Sequence, residues 1–315
     1  MPITINGSSG IVGANGSVTF PALTGADIDT GVFFPEANVV AFSVNSTESF
    51  RANANGIFAT ANVNVTNLTA TNIVPSSSYL RNRIINGDMR IDQRNAGAQI
   101  TAANLTTGAY MVDRWLYLSS QAAKFTAQQN AAAVTSAVGF PNYLGMTVAS
   151  AVTVGASDYF AIQQFIEGFN FADLAWGTAS AKTVTLSFVV YSSLTGTFGG
   201  SLRNSTATRS YPFTYSIPTA NTWTTISVTI AGDTSGTWVG ATNGTGVQVG
   251  FGLGVGTTYS GTAGAWSATN YVTATGAVSV VGTSGATFYI TGVQLEVGSV
   301  ATPFERQIYG TQLLQ

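Results

Sequence analysis

Apolar and polar positions alternate from Ala59 to Thr66, and with Ile57 the pattern places Ile57, Ala59, Ala61, Val63 and Val65 on one face of a β-strand. That face is narrow and built of small side chains. It is too thin for a single-chain core, but copies wrapped about a common axis can bury such stripes against one another. Phe20, Phe33, Phe34, Phe42, Phe50 and Phe58 supply further anchors in the same Gly-, Asn- and Thr-rich region. Ile73-Val74-Pro75-Ser76-Ser77-Ser78 breaks the pattern, since proline fixes the backbone and the serines offer no packing surface.

Beyond that boundary the alternating stretches carry aromatics. They run Trp115–Leu118, Tyr143–Val154, Tyr159–Ile166, Thr183–Tyr191, Phe198–Arg203, Tyr211–Tyr215, Trp223–Ile230, Val247–Leu253 and Phe288–Leu295. Their Gly-, Asn- and Thr-rich connections predict an antiparallel sandwich rather than a βαβ fold. Asn170–Trp176 is the one helical candidate and reads as a short surface turn. The spacing therefore predicts an all-β protein: residues 1–80 as a Gly-rich intertwined β stalk with an attachment region, residues 81–315 as an antiparallel jelly-roll β-sandwich.

Composition supports this picture and removes several chemistries. Only 8% of the 315 residues are charged, against roughly 25% in ordinary globular proteins. Polar surface must come instead from hydroxyls and amides, which suit strands and turns. The chain has no histidine and no cysteine, which rules out His-dependent triads, thiol nucleophiles and zinc, haem or iron–sulfur ligation. Eleven basic against thirteen acidic residues leave no footprint for a phosphate backbone, so nucleic acid is not an expected partner. The opening Met1–Gly7 lacks the basic and apolar regions of a secretory leader. No run approaches the roughly 18 apolar residues of a membrane span, so membrane insertion is not expected.

The densest polar run is Arg81–Arg94. Extended, it would put Asp88, Arg90, Asp92 and Arg94 on one face. Two carboxylates at i and i+4 on one strand lie roughly 13 Å apart, beyond the about 5–10 Å of a glycosidase pair. Together with Asp113 and Arg114, the residues Arg90, Asp92 and Arg94 read as a structural ion-pair cluster, with no catalytic residues assigned. Aromatics divide by context. Trp115, Trp223 and Trp238 sit in or beside strands and read as packing residues. Trp266, Tyr259 and Tyr271 lie in the long Gly-rich segment Gly254–Gly285, where they would either present an aromatic platform to a sugar ring or fold back over hydrophobic surface.

The run Asn82-Arg83-Ile84-Ile85-Asn86-Gly87-Asp88-Met89-Arg90-Ile91-Asp92-Gln93-Arg94-Asn95-Ala96-Gly97, followed by Asp113-Arg114-Trp115, resembles the opening of the distal domain of bacteriophage tail-fibre proteins. Trp223–Ile226, Gly232–Trp238, Trp266–Tyr271, Phe288–Gly298 and Ala301–Arg306 continue the resemblance in order to about Tyr309. It implies a distal domain like a carbohydrate-binding module on a homotrimeric fibre. That fibre would be made in the host cytoplasm, joined to other virion proteins through its amino-terminal region and directed at host surface polysaccharide. The alternatives are a head fibre or capsid-decorating protein, and a polysaccharide depolymerase. The resemblance also implies a calcium site at paired aspartates of the last strand. Thr291 and Gly292 stand at those positions, leaving Glu296 and backbone carbonyls as the oxygens on offer, so no cofactor is expected.

Overall fold

Along Val184–Ser192 the side chains of Val184, Leu186, Phe188 and Val190 belong to the core, while those between them face the other way. A computed structural model of the chain describes the backbone of residues 4–6, 10–12, 15–54, 56–60, 81–103 and 105–314, and their side chains except at 4–6, 10–12 and 105–107. The chain divides into two compact units, Met1–Ile73 and Val74–Gln315.

In the amino-terminal unit, β1 (Thr4–Asn6) and β2 (Gly10–Val12) form an antiparallel pair. A five-stranded antiparallel sheet runs in chain order through β3 (Leu23–Thr24), β4 (Gly31–Phe33), β5 (Val40–Val44), β6 (Thr47–Asn53) and β7 (Gly56–Ala59). Its register lines up Leu23, Val32, Phe42, Phe50 and Ala59 across the strands, with Val40, Ala52 and Ile57 beside them. The opposite face holds the buried Phe33, Ala41 and Ser43. On the first face Leu23, Val40, Phe42, Val44 and Ile57 remain 38–70% exposed. Ala61, Val63 and Val65, which extend the alternating stripe, and the Ile73–Ser78 boundary lie outside the described residues.

The second unit contains β8 (Ile100–Thr101), β9 (Leu105–Val112), β10 (Trp115–Ser119), β11 (Phe125–Gln129), β12 (Leu144–Val148), β13 (Tyr159–Glu167), β14 (Val184–Ser192), β15 (Gly196–Arg203), β16 (Ser210–Ile217), β17 (Thr224–Ile230), β18 (Thr245–Val255), the short parallel pair β19 (Ser260–Gly261) and β20 (Thr273–Ala274), β21 (Thr287–Val297) and a five-residue helix α1 (Tyr309–Leu313). Two six-stranded antiparallel sheets result. The first runs β16-β15-β18-β13-β10-β9 and the second β17-β14-β21-β12-β11-β8. Their inner faces share one core. Phe188 of the second sheet packs on Phe251 and Tyr215 of the first, with ring centroids 4.9 and 5.0 Å apart. This is the antiparallel β-sandwich that the alternation predicts.

The Arg81–Arg94 run departs from expectation. It is a series of turns rather than a strand, because Asn86 and Met89 both adopt left-handed backbone at φ 55°. It closes one end of the sandwich, with Ile84 and Met89 in the core. Polar side chains there replace missing strand neighbours. Gln164 accepts the Ile85 amide at 2.9 Å and donates to the Ile85 carbonyl at 2.8 Å. Asn82 accepts from Ile84 and Leu295 and donates to the Val293 carbonyl. Asn86 exchanges hydrogen bonds with both backbone groups of Ile91 and donates to the Asp113 carbonyl. The Asn170–Trp176 stretch is also not a surface turn. It forms 3₁₀ turns at Gly168–Asn170 and Ala172–Leu174, and it buries Phe171, Leu174 and Trp176 because their side chains complete the core.

Candidate functional site

Asp113 and Arg114 form the two-residue turn between β9 and β10, with Arg114 at φ 72°. The turn aims the Arg114 guanidinium at Glu167 on β13, with which it forms an ion pair. Asp113 accepts the Gln93 amide at 3.2 Å. Asp92 accepts the amides of Asn95 and Gly97 at 3.1 and 2.8 Å, so it holds a turn rather than an arginine. The Arg90 Nε lies 3.2 Å from Asp88. Its other end donates to the Gln307 carbonyl and the Gln312 amide oxygen, clasping the segment that leads into α1. Arg94 extends over the Tyr110 ring, 4.8 Å from the centroid. Among the described residues no ion pair joins any two of Arg90, Asp92, Arg94, Asp113 and Arg114 to each other.

These turns frame a cleft with two lobes. A groove of about 440 Å³ is lined by Gln93, Arg94, Tyr110, Asp113 and Arg114, with Asn86 and Ile91 in its wall. A second groove of about 180 Å³ is lined by Tyr110, Arg114, Phe165, Glu167, Asn243 and Thr245. The lobes meet at Tyr110 and Arg114. Tyr110 is 40% exposed, which leaves an aromatic surface between donors and acceptors of both kinds. The sequence singles out Arg94, Asp113 and Arg114 here, but as structural ion-pairing residues. Tyr110, Phe165 and Asn243 carry no such signal, because they meet only when β9, β13 and the start of β18 come together.

The Gly254–Gly285 segment takes a different course. It folds over the outer face of the first sheet, where Thr273 rests on Gly199 and Gly252. A Cβ at either glycine would come within 2.5 and 2.7 Å of the Thr273 hydroxyl oxygen. Trp266 donates its indole N–H to the Ala231 carbonyl at 2.8 Å and packs on Trp176, Tyr211 and Trp238 at 5.0, 5.2 and 5.4 Å. Tyr259 meets Tyr159 edge-on at 5.6 Å, and Tyr271 lies against Gly261. Trp266, Tyr259 and Tyr271 thus have separate packing partners, and among the described residues no ring contact links Trp266 to either tyrosine. Trp115 is fully buried in the core, Trp238 packs against it, and Trp223 donates to the Thr135 carbonyl from a cluster with Tyr143 and Tyr191 on the second sheet's outer side.

Under the same segment Arg203 is buried, donating to Gln163 at 2.6 Å and to Asn270 at 3.0 Å. Its burial pushes its pKa down to about 10, so it stays charged at neutral pH. Glu296 has both carboxylate oxygens committed to Thr302, one of them also to Gln294, and the Thr291 hydroxyl donates to the Asn142 carbonyl. These residues do not fit a calcium site, which needs free oxygens. Among the described residues no group of three or more acidic side chains is placed to hold a metal.

No family model and no curated protein matches the chain. Among solved structures it is similar to a putative sugar binding protein from Bacteroides thetaiotaomicron, at 12% identity and TM-score 0.38 over 69% of this chain and 100% of that one. It is also similar to a structure described as "CBM4 structure and function", at 13% identity and TM-score 0.33 over 68% and 98%. A third is the enzymatically active domain of tailspike protein 4 of bacteriophage CBA120, at 12% identity and TM-score 0.33 over 69% of this chain and 21% of the tailspike chain. The likeness is distant in every case.

Proposed function

We propose that this chain is a structural and host-recognition component of a phage particle, whose β-sandwich binds cell-surface glycan without catalysis. The observation that carries the reading is the Tyr110 cleft. It offers a partly exposed tyrosine, with Arg94 over its ring, for the apolar face of a sugar, ringed by guanidinium, carboxylate, amide and hydroxyl groups for its hydroxyls. Glu167 is paired with Arg114 and Asp113 holds the Gln93 amide. Neither is the carboxyl in an apolar niche that a proton donor to a glycosidic oxygen requires, which disfavours a depolymerase.

The amino-terminal unit supports the carrier half of the proposal. The uncharged face bearing Leu23, Val40, Phe42, Val44 and Ile57 is suited to bury itself against copies of the same chain, in a homotrimer that joins other virion proteins. Three linked sites would compensate for weak individual ones: a shallow sugar site of millimolar affinity contributes about −4 kcal/mol, and linkage multiplies the effective strength. The sequence resemblance favours a tail fibre over a head fibre or capsid-decorating protein.

A glycan array probed with the full chain and with Tyr110→Ala tests recognition. Binding by the parent that weakens in the variant supports it, and binding equal in both overturns the assignment to the cleft. Imaging virions carrying the labelled chain separates tail from shell.

A further inference from the structure

We infer that the Tyr110 cleft takes an uncharged oligosaccharide of at least two sugar residues rather than an acidic glycan; this rests on the glycan-binding reading above. Formal charge is the first ground. Arg94 and Arg114 are matched by Asp113 and Glu167, so the side chains lining the two grooves sum to zero. Arg114 is already neutralised by Glu167. Arg94 is the cleft's one arginine outside an ion pair among the described residues, but its guanidinium lies over the Tyr110 ring and Asp113 lines the same groove. A uronate carboxylate entering here would meet Asp113 or Glu167 with either arginine, and like charges at close range cancel the gain. A neighbouring pair of sugar hydroxyls suits the same set, since one can donate to a carboxylate while the other accepts from a guanidinium.

Length is the second ground. The two grooves are separate lobes that share Tyr110 and Arg114, so one ring stands where consecutive sugars of a chain would pass. Gln93 serves only the larger lobe, whereas Asn243 and Thr245 serve only the smaller. A single sugar engages one lobe at a time. Two or more linked sugars engage both, and the second residue binds without a second loss of translational freedom.

The test is titration calorimetry of the full chain against neutral malto-, cello- and galacto-oligosaccharides of increasing length, with oligogalacturonates of matched length and a broad glycan array in parallel. At least one neutral series should gain about tenfold in affinity from the single sugar to the trimer, with the matched acidic series about tenfold weaker. Asn243→Ala, at an exposed position, should flatten the length dependence, and Tyr110→Ala should weaken every length. Acidic oligosaccharides binding as tightly as neutral ones, with the affinity lost in Arg94→Gln, would overturn the inference while leaving glycan recognition intact. Affinity independent of length would overturn the two-lobe span. Absence of binding to any glycan on the array would overturn the recognition reading itself.

Discussion

The Gly87 carbonyl accepts the Val293 amide at 2.9 Å, and a Cβ built on Gly87 would stand 2.1 Å from the Val293 carbonyl oxygen. The closing turns therefore touch the last strand backbone to backbone, a contact that no residue with a side chain can make without displacing β21. Gly87→Ala should cost about 3 kcal/mol through this overlap. Urea denaturation of the full chain would read it, and an unchanged midpoint would mean that the turn yields.

Asp233 is buried and receives two hydrogen bonds from Arg209, at 2.6 and 2.7 Å, together with the Ser235 amide and the Trp238 indole. Asp233→Ala leaves a largely enclosed guanidinium without its partner and should cost about 3 to 5 kcal/mol. Asp113→Ala loses a single backbone hydrogen bond at the protein surface and should cost about 1 kcal/mol. The contrast between the two melting curves checks that the weight of charge pairing falls at Asp233.

Trp266 packs on three aromatic rings, so Trp266→Ala should lower stability by about 2 to 3 kcal/mol, at or below the usual range for a large aromatic because the residue is only partly enclosed. Adsorption of the folded fraction to glycan should persist. Normal melting with lost adsorption would instead place recognition on the Gly254–Gly285 segment.

Phe42 and Phe50 meet edge-on at 5.3 Å on the exposed face of the amino-terminal sheet. Phe42→Asp would set a charge within that apolar face. Sedimentation should show the variant shifted toward monomer relative to the parent, while an unchanged mass would locate self-association elsewhere.

The Gly155 amide, the Ser120 hydroxyl and the Gln121 amide hold the Asp158 carboxyl below the usual aspartate value of 3.8. With a lowered folded pKa, the unfolded chain binds more protons in this window, and stability rises with pH. The melting difference between the parent and Asp158→Ala should be complete near neutral pH. It should shrink as the pH drops from 3.8 through the lower folded value, and a difference that persists at full protonation would contradict the charge-based account.

The long strands from Tyr159 onward were legible because their inward residues are large and alternating, as in Val247, Val249, Phe251 and Leu253, whereas the two-residue β19 and β20 within Gly254–Gly285 carry no such pattern. Leu105–Val112 and Phe125–Gln129 were not. The first is interrupted by Thr106, Thr107 and Gly108, and the second turns only Phe125 and Ala127 inward. The predicted Tyr143–Val154 strand stops at Val148, where the chain turns and Ala149 bonds to the Lys124 carbonyl. The extended reading of Asp88–Arg94 failed for a local reason, since side-chain hydrogen bonds from Asn86 stabilise turn conformations that periodicity does not register. Of the cleft lining the sequence singled out Arg94, Asp113 and Arg114, and it read them as a structural ion-pair cluster rather than as a binding site. The rest depends on strand order, which brings residues near 93, 110, 165 and 243 together.

Gln312 and Leu313 of α1 line the wall of the larger groove, with Gln312 tied there by Arg90. A group attached to Leu313 would stand at the rim of the cleft. A purification tag or fluorescent label placed there would compete with ligand for the same space, and a weakened binding curve could then be mistaken for low intrinsic affinity. Immobilisation chemistry for any binding measurement should therefore be directed away from α1.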